Sequence, residues 1–171
     1  IILQDDYGIA DDLIRSIKKQ AGEVITLVQD NDLKDLVVQG SRIYINPYDE
    51  GHYINLGNYL SENNIEISHI FHCWTIADRR SAIDNKLTQF VGMYSIYFLQ
   101  NHILGKYNHN IYLAVLTNGI SQVTGSDVVD CNKGLLVGAL RALSYEASNI
   151  KHLILDIGFD DYTENDLLSF V

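Results

Sequence analysis

Apolar runs and helical spacings alternate along the chain. The stretch at 66–77, EISHIFHCWTIA, carries an apolar core at 67–74 bounded by the polar run 61–64 before it and by Asp78-Arg79-Arg80 after it. A strand covered on both faces has this form, which predicts that the segment lies near the middle of a mostly parallel sheet. Before it come a short strand at 1–3, a helix in which Ile9, Leu13, Ile14, Ile17 and Ala21 recur, a second strand at 24–28 and a brief third at 43–45. Asp11 and Asp12 open that first helix, and Lys18 and Lys19 close it before Gly22, as the helix dipole favours. Residues 29–40 are polar with an apolar patch at 36–38, and Asn46-Pro47 leads into a helix from about Asp49 with Tyr53, Leu56 and Leu60 inward.

Beyond the central strand the pattern predicts a loop through Ser81 and a long helix over 84–104, with Leu87, Val91, Tyr94 and Phe98 in one stripe. A fifth strand follows at 110–116, a glycine-containing loop at 117–130, a helix at 132–148 and a sixth strand at 152–157. A short helix at 163–171 opens on a Thr163/Asp166 pattern that resembles a capping box. The 132–148 helix is apolar on nearly all sides, so a second body is expected against it, and Gly134 and Gly138 would allow close approach. Six strands alternating with helices make an α/β fold: a doubly wound, mostly parallel sheet of about six strands in the order 3-2-1-4-5-6, with helices on both faces. With no repeat or linker, residues 1–171 read as a single domain.

The formal charge of −10, with only 12 Lys and Arg, argues against nucleic acid and anionic membrane as partners. The opening residues IILQDDYG lack the basic segment of a secretory signal, and no run reaches membrane-spanning length, so a cytoplasmic location is expected. Cys73 and Cys131 lack metal or redox spacing and read as buried small hydrophobes.

The fold class invites a dinucleotide at the first strand-to-helix turn, where close glycines and a positive helix end would hold the pyrophosphate. This turn, DDYGIADD, has the single glycine Gly8 and four carboxylates, Asp5, Asp6, Asp11 and Asp12. Asp30 stands where a ribose-binding acid would follow the second strand. A Tyr-x-x-x-Lys reductase pair is absent. The Asn variants Tyr59/Asn63, Tyr97/Asn101 and Tyr145/Asn149 lack the upstream Ser such a site needs. Asp5-Asp6 and Thr117 resemble parts of a phosphoacceptor receiver site, but Asn46 stands near where its Asp is required and no Lys follows Asp156. His72, between Phe71 and Cys73 with no nucleophile elbow, reads as a core histidine.

Several segments together resemble a known family. They are Asp6-Tyr7-Gly8-Ile9-Ala10, the central Ile70-Phe71-His72-Cys73-Trp74, and Ala114-Val115-Leu116-Thr117-Asn118-Gly119 with Val123-Thr124-Gly125. To these add Gly138-Ala139-Leu140-Arg141-Ala142-Leu143 with Glu146, and Leu155-Asp156-Ile157. Their order and spacing are similar to the structural subdomain of a modular polyketide synthase ketoreductase, with Cys73 a departure from that family's frequent Leu. The resemblance implies a truncated Rossmann-like half that packs beside a catalytic subdomain. That partner carries the NADPH site and reduces β-keto acyl thioesters, and the chain here ends about where the crossing to it would begin. It implies no catalytic, cofactor-binding or metal residue in this chain. Neighbouring synthase domains are implied partners, and an acyl carrier protein an indirect one. A free-standing, short-chain reductase-like nucleotide-binding protein is the alternative.

Overall fold

A computed structural model of the chain describes residues 1–20, 22–76, 86–122 and 129–157. Outside them lie Ala21, Ala77, the loop through Ser81, the start of the long helix, the Val123-Thr124-Gly125 motif and the expected helix at 163–171. The described elements run β1 (Ile2–Leu3), α1 (Ile9–Lys19), β2 (Thr26–Gln29), β3 (Val37–Gln39), β4 (Arg42–Ile45), α2 (Glu50–Glu62) and β5 (His69–Thr75). They continue as α3 (Lys86–His102), β6 (Ile111–Thr117), α4 (Gly134–Glu146) and β7 (Ile150–Asp156). The strands form one sheet in the order β3-β4-β2-β1-β5-β6-β7, and every pairing is parallel except β3 with β4.

The six parallel strands stand in the expected order. The seventh, β3, is an addition: the 36–38 patch, read as part of a polar segment, turns back at Gly40 (φ 60°) and pairs Val38 with Ile43. This short antiparallel strand blunts one edge of the sheet. From β1 the chain steps one way to β2 and β4, then returns across β1 to β5, β6 and β7. Right-handed crossovers therefore put α1 on one face and α2, α3 and α4 on the other.

The two cores match that arrangement. Ile2, Phe71, Cys73 and Leu116 meet Ile9, Ala10 and Leu13 of α1. Leu3, Leu27, Ile43, Ile70, Trp74, Leu113 and Val115 meet Tyr53, Leu56, Val91, Leu99, Leu136 and Leu140 from the three opposite helices. Residues 70–75 are all buried, so β5 is covered on both faces as its sequence implied. Its register against β6 slips, since His72 lies opposite Val115 but Thr75 opposite Thr117, which gives β5 one extra residue. At Gly92, α3 lies so close to β5 and α4 that a Cβ would come 2.6 Å from Thr75 Cγ2 and 3.2 Å from Leu136 Cδ1.

Asp49 caps α2 as expected, its side chain accepting from Gly51 N at 2.8 Å. Two side chains depart from expectation. Tyr94 lies at the rim of α3, edge-on to Tyr48, because Val91, Ser95, Ile96 and Leu99 form the inward stripe. Cys131 is exposed, since it sits in the 3-10 turn Cys131–Lys133 that precedes α4. Among the described residues no helix is long and apolar enough to cross a membrane.

Candidate functional site

In a doubly wound sheet ligands settle at the C-terminal strand ends where the order reverses, here between β1 and β5. The residues after β1 are Gln4 to Gly8, and they aim at the N-terminus of α1. Asp5 is buried there. Its Oδ2 accepts from Tyr7 N at 2.9 Å and Ile9 N at 3.2 Å, and its Oδ1 accepts from Ala10 N at 2.7 Å. These are the helix-end N–H groups that would hold a pyrophosphate, and the chain's own carboxylate engages them.

Gly8 takes a left-handed conformation at the cap (φ 92°), and a Cβ on it would meet nothing within 4 Å. The turn needs this glycine for its backbone angle, and no close ligand approach is involved. Asp11 accepts from Gln4 Nε2 at 2.8 Å and Asp12 pairs with Arg15, while Asp6 is exposed. A nucleotide phosphate would have to displace Asp5 in the presence of three further carboxylates, so the residues of this turn do not fit a dinucleotide.

The other candidates hold the fold. Asp30 Oδ1 accepts from Asp32 N at 3.1 Å, an Asx turn of the kind that shapes a loop. Asn63 donates to Tyr59 O at the end of α2, and Asn149 donates to the main-chain oxygens of Tyr107 and His109. Tyr59 and Tyr145 lie toward the C-termini of helices that run antiparallel to the strands, at the end of the sheet opposite the switch point. Tyr97 points outward from α3. Asn46 donates to Asn31 O and accepts from Tyr48 N, which shapes the turn into α2. Thr117 is buried, and its hydroxyl donates to Thr75 O at 3.4 Å, so it is engaged by the neighbouring strand.

His72 and Ser95 stand 2.6 Å apart, a contact that resembles a base and a nucleophile, yet both side chains are fully buried. Ser95 Oγ donates to Val91 O at 2.6 Å. Burial pushes the His72 imidazole down to about 4, against a smaller opposing pull from its own main chain. No substrate reaches it, and a core histidine is what the structure shows. Among the described residues no group of three or more His, Cys, Asp or Glu is placed to hold a metal.

One constellation escaped the sequence reading. At the C-terminal end of β6, buried Lys133 donates from Nζ to both Asn118 O and Asn118 Oδ1 at 2.6 Å. Asp130 caps the following turn through Asn132 N at 3.0 Å, and Asp156 accepts from Ile120 N and Ser121 N. Burial brings the Lys133 ammonium down to about 8, with Asp130 and Asp156 pulling the other way. All of these bonds end on the protein's own loops, so the group acts as a latch on the β6–α4 connection. The signal was a lysine at the start of a helix, where the dipole disfavours a cation.

The outward sides of α3 and α4 form a second surface. Leu136, Leu140 and Leu143 turn inward, while Leu135, Gly138, Ala142 and Tyr145, the last 92% exposed, turn out. Phe90 and Tyr97 are exposed on the neighbouring α3, and Gln100 bonds Glu146 between the two helices. These side chains leave apolar surface exposed on both helices.

Comparison with known proteins bears on these two surfaces. A search of curated proteins gives no significant match. A multidomain structure with adenylation, ketoreductase and pseudo-Asub domains, from a keto acid-selecting NRPS module, superposes with a TM-score of 0.79 at 20% identity, over 95% of this chain and 14% of that one. An N-terminal ketoreductase from a macrolactin assembly line gives 0.66 at 16% identity, over 99% of this chain and 35% of that one. The Bacillus cereus enoyl-acyl carrier protein reductase, solved with NADP+ and indole naphthyridinone, gives 0.64 at 13% identity, over 99% and 78%. The chain thus spans only about a seventh and a third of the first two, and at these identities the likeness is one of fold. A family model described as beta-ketoacyl synthase-like, N-terminal, matches residues 1–169, and the chain belongs to that family.

Proposed function

We propose that this chain is the non-catalytic, structural half of a ketoreductase in a polyketide synthase-type assembly line. It packs against and stabilises a catalytic subdomain that binds NADPH and reduces β-keto acyl thioesters. The observation that carries this reading is Asp5, whose carboxylate engages the α1 N-terminus where a dinucleotide would bind. The apolar outer layer of α3 and α4 supports it as a contact surface for the partner. The small share of the ketoreductase-bearing chains that this chain spans is consistent with a fragment of such a unit. On this reading the chain works in the cytoplasm beside other synthase domains and meets an acyl carrier protein only indirectly.

A free-standing nucleotide-binding reductase is the competing reading, favoured by the fold shared with the NADP+-bound enoyl reductase. Calorimetric titration of the 171-residue chain with NADPH separates the two. No stoichiometric heat is expected, because a phosphate would have to expel Asp5 from three main-chain N–H groups. Micromolar binding at one site per chain would overturn the structural-half reading.

A further inference from the structure

We propose that residues 158–171, which follow β7, dock back over β6 and β7 on the α1 side of the sheet, a surface separate from the outer layer of α3 and α4. Strand pairing places Ile2, Phe71, Ala114 and Leu153 in one row on that side. Beneath α1, Ile2 is 1% exposed and Phe71 6%, but farther along the row Ala114 is half-buried and Leu153 44% exposed. The neighbouring rows pair Tyr112, itself 51% exposed, with Lys151, and Leu116 with the half-buried Leu155. On the opposite face Leu136 and Leu140 of α4 share a core with Leu113, Val115 and Ile150. The α1 side of β6 and β7 is thus an apolar surface that the described helices leave open.

The chain leaves the sheet beside this surface. Ile157, just past β7, packs with Leu155 against the α1-side core, and its N–H donates to Thr117 O at 2.8 Å. After Gly158 to Tyr162, the sequence Thr163 to Val171 carries helix-start signals. Thr163 and Asp166 stand in a capping-box pattern, and Tyr162 and Leu167 have the spacing of a hydrophobic staple. On a helix, Leu167, Phe170 and Val171 fall on one side. At ~1.5 Å per residue that helix is about 14 Å long. The strand from Ile157 back to Leu153 spans about 13 Å, so a helix laid antiparallel to β7 reaches the exposed leucine. Asp160, Asp161, Glu164 and Asp166 then stand toward its start and the exposed Lys151 toward its far end, as the helix dipole favours. So short a helix is marginal alone in water and gains its stability from the surface it covers.

Nuclear Overhauser spectra of the 171-residue chain test this placement. Cross-peaks are expected from the Phe170 ring or the Leu167 methyls to the Leu153 methyls, and a soluble gadolinium chelate should leave those methyls unbroadened. Leu167→Asp with Phe170→Asp should abolish the cross-peaks and let the chelate broaden Leu153, while the sheet keeps its circular dichroism. The wild-type spectra decide the matter whatever the stability of the variant. Leu153 methyls broadened by the chelate in the wild-type chain would overturn the proposal. Cross-peaks to Leu153 that arise only between differently labelled molecules would overturn it too, by giving the surface to a second copy of the chain.

Discussion

Replacing Trp74 by alanine is expected to remove about 3–5 kcal/mol of folding stability. The ring is 2% exposed and sits on the α3 side of the central strand, in a core that includes Leu113, Val91, Leu99 and Leu136. Its deletion leaves a cavity among core side chains held by the sheet and by the helices packed on it, which can close it only in part. Set against a typical total of about 5–15 kcal/mol, this loss is a large fraction of the margin that keeps a domain folded. Urea denaturation followed by circular dichroism measures it. A loss below about 1 kcal/mol would mean that the ring lies open to solvent and that β5 is misplaced at the centre of the sheet.

The second large effect is on acid stability. His72 titrates near 6.5 when unfolded and is held down to about 4 in the core. Between those values the unfolded chain takes up a proton that the folded chain refuses. Stability therefore falls as the pH falls through this window, and the contribution present above 6.5 is gone once the pH is below about 4. The window corresponds to about 3 kcal/mol. Carboxylates titrate in the same range, so the informative quantity is the difference between wild type and His72→Leu, measured by urea denaturation from pH 7 to pH 4. The variant's stability is expected to fall less steeply. Parallel curves would show that His72 is protonated as easily in the folded chain as in the unfolded one.

The sheet was legible in the sequence because each parallel strand is a dense apolar run, and the helices between them carry charges that agree with their dipoles. Strand β3 was not, since an apolar patch of three residues inside a polar segment is too short to show a strand's period, and Val37–Gln39 is only half-buried or exposed. The stripe read for α3 misled at Tyr94: helical spacing identifies a face, but α2 and α4 both lean on this helix and shift the buried arc toward Ser95 and Ile96. The acidic character of the first turn was legible. That Asp5 itself takes the helix end was not, because the bond to Ala10 N depends on the sharp left-handed turn at Gly8. The Lys133 latch joins residues 15 apart through a loop whose path no spacing rule describes.

The nearly uniform apolarity of α4 suggested a second covering body, and the structure sorts its residues into two sets. Leu136 faces the core, so a charge there would unfold the chain and say nothing of a partner. Leu135 and Ala142 face outward, where a carboxylate is harmless in the isolated chain and costly only if it becomes buried and unpaired in a contact.

The most direct measurement is therefore a reconstitution. This chain is co-expressed with a catalytic ketoreductase subdomain, and NADPH-dependent reduction of a β-keto thioester is followed alongside the partner's solubility. The wild-type chain is expected to raise both. Leu135→Asp and Ala142→Asp should abolish the rescue while keeping the isolated chain's circular dichroism and melting unchanged. Rescue that survives both substitutions, or reduction by this chain without the partner, would contradict its role as the structural half.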